Sequence, residues 1–304
     1  MARYVKIAAA QMGPNPEWMP REQILSRMLR LMDEAIVERA DIVAYPELAL
    51  TTYFPKRIRS DYDQFFETEM PPRALAVILG RAHEAGVICH VGFAERTSGH
   101  RFNTAILTDE RGQLLGRFRK IHLPGRDAPD PSGLTRVYEP YYFDSGDGGF
   151  QVIPTTRARI GIAICQDRRY CETYRSLGLR GAEIILIGYN TPLAPLALTH
   201  NELVMRTGAY ENHCFVVGIA KTGVEDGMEL IGGSCIISPE GEILAKASTN
   251  DDELIIARVD LDQIELVRRR LDFFGRRRPE HYGAIVEHGV RPRGATVPDR
   301  ATHG

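Results

Sequence analysis

Three side chains in this sequence could do chemistry together. Glu47 stands in YPELAL, Lys120 in RKIHLPG and Cys165 in RIGIAICQDRRY. Each closes a short run that reads as a strand. Taken singly, each has a plain reading: a glutamate in a solvated turn, a surface lysine on a basic strand, a buried core cysteine. Taken together, a carboxylate, an ammonium and a thiol make a nucleophilic set. The carboxylate takes the thiol proton, and the thiolate attacks a carbonyl carbon. The ammonium and the backbone N–H of Gln166, just after the cysteine, then hold the oxyanion. The helical pattern that begins near Tyr170 adds a second expectation, that a helix amino terminus favours thiolate at Cys165. His122 follows Lys120 closely, and it fits either a structural hydrogen bond or a place at the substrate.

The elements that must position these groups alternate between strand and helix. Val5 to Met12, Asp41 to Tyr45, Val87 to Ala94, Asn103 to Thr108 and Gln113 to Arg119 read as strands. So do Phe150 to Ile153, Arg159 to Cys165, Glu183 to Gly188, Cys214 to Ala220, Ile231 to Ser238, Glu242 to Ala247 and Leu254 to Asp260. Helical periodicity covers Arg21 to Ala40, Pro71 to Gly86, Glu172 to Leu179, His200 to Glu211 and Leu261 to Leu271. In the helix at 21–40, Ile24, Met28, Met32 and Ala35 share a stripe, which makes its methionines core residues rather than a soft-metal box. Such alternation predicts an α/β layered fold, in which polar residues at strand ends converge on one rim. Asn190 and Thr191, after the strand at 183–188, belong to that rim. Residues 121–149 carry many Pro, Gly and Asp and little periodicity, as a binding loop would.

Composition narrows the classes. The chain has 304 residues with 38 Lys plus Arg against 40 Asp plus Glu, a net charge of −2, which argues against a nucleic-acid binder. The arginine clusters at 268–278 then read as a solvated helix face or a subunit contact. Five cysteines without a CxxC pair imply neither a disulfide framework nor a zinc site, and a reduced cytoplasmic setting is the simplest. No apolar run approaches membrane-spanning length, no secretory h-region is evident, and no His/Asp/Glu cluster suggests a metal. The expected organisation is a single domain over residues 1–288 and a polar tail over 289–304, mobile unless a neighbouring subunit holds it.

YPELAL, RKIHLPG and the Cys165 stretch, in this order and spacing, resemble the Glu–Lys–Cys signature of the nitrilase superfamily. PELALTTYFP, FETEMP, RFNTAIL, CQDRRY, LRGAEII and GYNTP are similar to the N-carbamoyl-D-amino-acid amidohydrolases. The resemblance spans about residues 4–285. It implies a four-layer α-β-β-α sandwich, with Glu47 as general base, Lys120 as oxyanion stabiliser and Cys165 as nucleophile. Glu139, in EPYYFDSGD, would be a second glutamate in the site. The substrate implied is a small N-carbamoyl-D-amino acid, cleaved to the D-amino acid, carbon dioxide and ammonia through a covalent thiol adduct on Cys165. No metal or cofactor is implied, and a homodimer or homotetramer is. Arg168 and Arg169 would clamp the substrate carboxylate in bidentate fashion, with His122, Gln166, Asn190 and Thr191 completing the polar wall. Gln166, Tyr170 and Cys171 depart from those enzymes, and the segment after GYNTP is shorter, which bears on pocket size and handedness. The wider alternatives are amidases of the same superfamily acting on N-carbamoyl-β-alanine, N-carbamoylputrescine or an ω-amide. A non-catalytic interaction protein is a further one.

Overall fold

The computed structural model describes residues 2–133 and 135–287; the expected polar tail lies outside the described residues. Its centre is a strand of small residues. β1 (Tyr4–Gln11) carries Ala8, Ala9 and Ala10, all buried, and so admits packing on both faces. It pairs antiparallel with β15 (Glu253–Asp260) and parallel with β2 (Ile42–Ala44). Beyond β2 lie β4 (Ile88–Thr97), β5 (His100–Thr108) and β6 (Leu114–Arg119), and the two-residue β3 (Phe66–Glu67) also pairs β4. The second sheet runs β14 (Ile243–Lys246), β13 (Cys235–Ile237), β10 (Phe215–Ala220), β9 (Ile184–Tyr189), β8 (Arg159–Ile164), β7 (Val152–Pro154). Its middle strands are near-continuous Ile, Leu and Val, as strands covered on both faces must be.

One apolar core fills the space between the sheets, where Ile7, Ala9 and Ile42 meet Ile160, Ile162 and Val217. The outer face of the first sheet is covered by α1 (Arg21–Val37) and α2 (Ala76–Ala85), which bury Met28, Leu31, Met32 and Ile78. Both stripe methionines are core residues, as their spacing implies. α4 (Cys171–Leu179) and α5 (Ala197–Asn212) cover the second sheet through Tyr174, Leu177, Met205 and Ala209. The result is the expected α-β-β-α order. A short α3 (Glu139–Tyr142) and α6 (Asp262–Leu271) complete the helices.

Two departures bear on the site. The strand expected at 231–238 is two strands, interrupted at Gly232 and Gly233, which both hold a positive φ. Its first part joins a hairpin that periodicity did not reveal, β11 (Thr222–Glu225) with β12 (Met228–Ile231). The arginines of α6 are largely a solvated face, where Arg269 pairs with Glu265 at 3.0 Å and Arg270 with Glu240. Arg268 instead lies over the Phe274 ring.

Candidate active site

The chain reaches one polar rim from both sheets. Glu47 follows β2, Lys120 closes β6 and Cys165 follows β8; all three are buried. Glu47 needs unusually close backbone approach. A Cβ on Gly92 of β4 would lie 2.8 Å from the Pro46 carbonyl oxygen and 2.9 Å from the Glu47 Cα. One on Gly188 of β9 would lie 2.6 Å from the Glu47 nitrogen. The two glycines, one per sheet, let the glutamate's backbone thread between them. Leu48 then turns the chain at a positive φ of 48°.

Lys120 Nζ donates to Glu47 Oε1 and to Glu139 Oε1, both at 2.7 Å, with all three side chains fully buried. Glu47 Oε1 also accepts from Asn103 Nδ2 at 2.7 Å, and its Oε2 from the Asn190 backbone N–H at 2.9 Å. Asn190 Nδ2 returns a bond to the Glu47 carbonyl at 2.9 Å. Glu139 Oε1 takes a further bond from the Tyr53 hydroxyl at 2.7 Å. Asn103 and Tyr53 are thus site residues that sequence reasoning did not single out. The polar pair Asn103 and Thr104 inside an otherwise apolar strand was the available signal for the first.

Burial pushes the Glu139 carboxyl up to about 7; the Lys120 ammonium opposes this and the Glu47 charge adds to it. Burial alone would lower the Lys120 pKa, but the charges of Cys165, Glu139 and Glu47 more than offset it, and the ammonium is held protonated. The Cys165 thiol is raised, by burial first and then by Glu47, with Lys120 and Arg168 pulling the other way. The expectation of a helix-favoured thiolate therefore fails. The residue lies in a short 3-10 turn, Cys165–Arg169, six residues ahead of α4, so no long helix terminus offsets the burial that favours the protonated thiol. Cys165 itself has a φ of 46°, a left-handed conformation that turns its side chain sharply off the strand end. Its Sγ lies 3.6 Å from the Asn190 carbonyl oxygen.

The two arginines do not form a paired clamp. Successive residues of a tight turn point in different directions, and Arg168 turns inward. Its Nε donates to Asn201 Oδ1 at 2.7 Å, Nη1 to the Cys165 carbonyl at 2.6 Å and Nη2 to Thr191 Oγ1 at 2.6 Å. The guanidinium lies over the Tyr189 ring at 4.5 Å. Arg168 braces the turn that carries Cys165, and all three of its nitrogens already donate within that turn and its neighbours, so it does not present a free paired edge for a bidentate grip. Arg169 is exposed, makes no hydrogen bond or ion pair among the described residues, and lines a cavity of about 210 Å³ beside Cys165. Tyr53, Gln166, Asn190, Thr191 and His200 line the same cavity. His122 does not line it. Its Nδ1 and the carboxylate of buried Asp167 lie 2.7 Å apart, its backbone N–H donates to the same oxygen, and its ring stacks on Tyr170 at 3.7 Å. Asp167 in turn accepts from the Ile164 N–H, so this histidine braces the turn rather than touching the cavity. Among the described residues no group of three or more His, Cys, Asp or Glu side chains is placed to hold a metal ion. None of the helices there is long and apolar enough to cross a membrane.

Residues 6–269 match the family model described as carbon-nitrogen hydrolase. The chain belongs to the carbon-nitrogen hydrolase family. Among relatives of this hydrolase, a nitrilase of Pyrococcus abyssi is 32% identical over 91% of this chain and 99% of its own length. The N-carbamoylputrescine amidase of Arabidopsis thaliana is 32% identical over 84% of this chain and 88% of its own. A citrullinase of Francisella tularensis is 29% identical over 93% and 98%. A solved carbon-nitrogen hydrolase from Helicobacter pylori superimposes with a TM-score of 0.84 at 24% identity, covering 94% of this chain and 99% of its own, which bears on the fold. The superfamily inferred from the three motifs is thereby established. The narrower resemblance to N-carbamoyl-D-amino-acid amidohydrolases is not what these relatives single out.

Proposed function

We propose that this carbon-nitrogen hydrolase cleaves the terminal carbamoyl or carboxamide group of a small carboxylate-bearing substrate through a thiol adduct on Cys165. The observation that supports the reaction is the buried Glu47–Lys120–Glu139 set around that thiol. Glu47 takes the Cys165 proton as the sulfur–carbon bond forms. The carbonyl oxygen becomes an oxyanion held by the Lys120 ammonium and the N–H of Gln166, a first-turn donor without a partner inside its own turn. The carbon–nitrogen bond breaks, and ammonia leaves with the proton from Glu47. Water then attacks the acyl carbon and gives its proton to Glu47, the carbon–sulfur bond breaks, and the thiol recovers its proton. A carboxamide yields an acid; a ureido group yields a carbamate that decomposes to amine and carbon dioxide.

Arg169 favours the anionic class. It is an unpartnered cation at the cavity wall, and no acidic side chain lines the cavity among the described residues. An ammonium-bearing substrate such as N-carbamoylputrescine would meet like charge there, whereas a carboxylate would meet its counter-ion. The relatives' names bear on the group cleaved and not on this charge: a citrullinase and an N-carbamoylputrescine amidase both concern a terminal carbamoyl group, and the second is named for a cationic compound. N-carbamoyl-D-amino acids are one member of the proposed class rather than its centre.

The test is ammonia release from citrulline, N-carbamoyl-β-alanine, N-carbamoyl-D- and L-amino acids, ω-amides and N-carbamoylputrescine, with Cys165→Ala as control. Turnover confined to the carboxylate-bearing compounds and lost in the variant supports the proposal. Preference for N-carbamoylputrescine would refute the role of Arg169. We further propose a cytoplasmic homo-oligomer, either dimer or tetramer, to be checked by light scattering of the purified chain.

A further inference from the structure

Behind the Glu139 side of the site lies a second pair of buried charges that the reaction does not use. Lys221 follows β10 and Glu225 ends β11, and both are at most 1% exposed. A buried ion pair gives no general gain in stability over apolar residues of the same volume, so its placement invites a functional account. Lys221 Nζ donates to both Glu225 oxygens, at 3.0 and 2.9 Å, and to the Thr51 carbonyl at 2.9 Å. Glu225 Oε1 accepts from the Tyr53 backbone N–H and from Thr52 Oγ1, the latter at 3.2 Å. Its Oε2 accepts from the Asn15 N–H at 2.7 Å. Lys56 and Asp226, paired at 2.8 Å, bind Thr52 from the outside. Three successive residues, Thr51 to Tyr53, are thus pinned by one hairpin.

The pinned segment ends in the Tyr53 side chain, which is buried and donates to Glu139 Oε1. Glu139 Oε2 is buried without any partner. Among the described residues, Tyr53 and Lys120 are therefore the only side chains holding that carboxylate by hydrogen bonds. We infer that Glu225, held against Lys221, is a positioning residue that fixes Tyr53 and through its hydroxyl the orientation and proton of Glu139. Glu139 is faced by Lys120, Glu47, Tyr53 and Cys165; Glu225 is faced by Lys221, Lys56 and Asp226. The same hairpin also holds the opposite cavity wall, where the Ile231 N–H donates to the Thr191 carbonyl at 2.9 Å and the Leu193 N–H to the Glu229 carbonyl at 2.7 Å.

The role of Glu139 follows the function proposed above, so the test uses a readout that needs no substrate. Alkylation of Cys165 by iodoacetamide is followed across the acid and neutral range, in a Cys171→Ser background because Cys171 is exposed. Tyr53→Phe removes a donor to the Glu139 carboxylate and should move the inflection up by about one pH unit. Glu225→Gln should move it in the same direction, and the double variant should move it no further than Tyr53→Phe alone. A wild-type profile in Glu225→Gln or in Tyr53→Phe, or shifts that add in the double variant, would overturn the inference. If Glu225→Gln does not fold, the neutral pair Lys221→Gln/Glu225→Gln replaces it under the same criteria. The expected pattern without turnover of any amide would uphold the positioning role and refute the substrate class. Turnover without the pattern would do the reverse.

Discussion

Gly188→Ala adds one methyl group outside the substrate cavity and should disable the enzyme. The new Cβ would sit 2.6 Å from the Glu47 nitrogen and 3.0 Å from the Pro46 carbonyl carbon. These are backbone atoms, which cannot swing aside as a side chain can. To reach ordinary contact at 3.4 Å the glutamate segment must retreat by about 0.8 Å. Its carboxylate is held at 2.7 Å by Lys120 and Asn103 and at 2.9 Å by Asn190, so a shift of that size breaks at least one of those bonds. A displacement of about 1 Å costs on the order of 100-fold in rate, or about 2.7 kcal/mol of transition-state stabilisation. Folding should suffer less. Overpacking costs about 1–3 kcal/mol, and alanine in a strand recovers about 0.5–1 kcal/mol relative to glycine. The assay is kcat/KM on the best substrate of the panel beside a thermal melt. A fall of about 100-fold with Tm lowered by only a few degrees is the expected result. Activity within about threefold of wild type would show that the segment yields freely and that the two glycines do not fix the base.

Glu47→Gln should keep the fold by circular dichroism and lower kcat by about 100-fold or more, as removal of a general base does. Asn103→Leu takes one donor from the Glu47 carboxylate and should lower kcat by about 10-fold or more in steady-state kinetics, with little change in KM. Arg169→Ala should raise KM for carboxylate-bearing substrates by about 10-fold while leaving uncharged amides unaffected; equal losses on both would refute the charge argument. The raised Glu139 carboxyl binds its proton more tightly in the folded chain than in the unfolded one. Its stabilisation is therefore full below the ordinary value of 4.5 and lost as pH rises through about 7. Compared with Glu139→Gln, the wild type should accordingly lose Tm across that window, and a constant difference in paired melts would contradict the assignment.

The strand ends at Glu47, Lys120 and Cys165 were legible because apolar strands stop abruptly at polar residues, and an α/β layering gathers such ends on one rim. Glu139 was reachable only through family resemblance, since nothing in the sequence around EPYYFDSGD locates it opposite Lys120. Arg168 was misread because adjacency in sequence was taken for adjacency of function; in a 3-10 turn the two guanidinium groups diverge. The β11–β12 hairpin was missed although Asp226-Gly227 between TGVE and MELI is a strong turn signal. The segment is short and its strands alternate poorly, so the Ile231 end was absorbed into the next strand. Tyr53 left no pattern at all. Its role depends on a loop conformation that long-range charges impose, and spacing carries no record of those.

Glu47 and Lys120 hang from one sheet, while Cys165 and the Asn190 wall hang from the other. The ends of β1 and β10, an interior strand of each sheet, join where the Met12 N–H donates to the Ala220 carbonyl at 3.0 Å and the Thr222 N–H to the Met12 carbonyl at 2.9 Å. The two Asn190–Glu47 bonds also cross between them, and closely packed apolar side chains fill the rest of the layer. Turnover in this enzyme is therefore a vernier on the alignment of two plates. Substitutions deep between the plates, such as Ile160→Val or Ile42→Val, would blunt the rate by misaligning the halves of the catalytic set while the chain still melts as a folded protein. Adaptation of this scaffold to cold or heat would be expected to run through that packed layer, with no change to any residue that touches substrate.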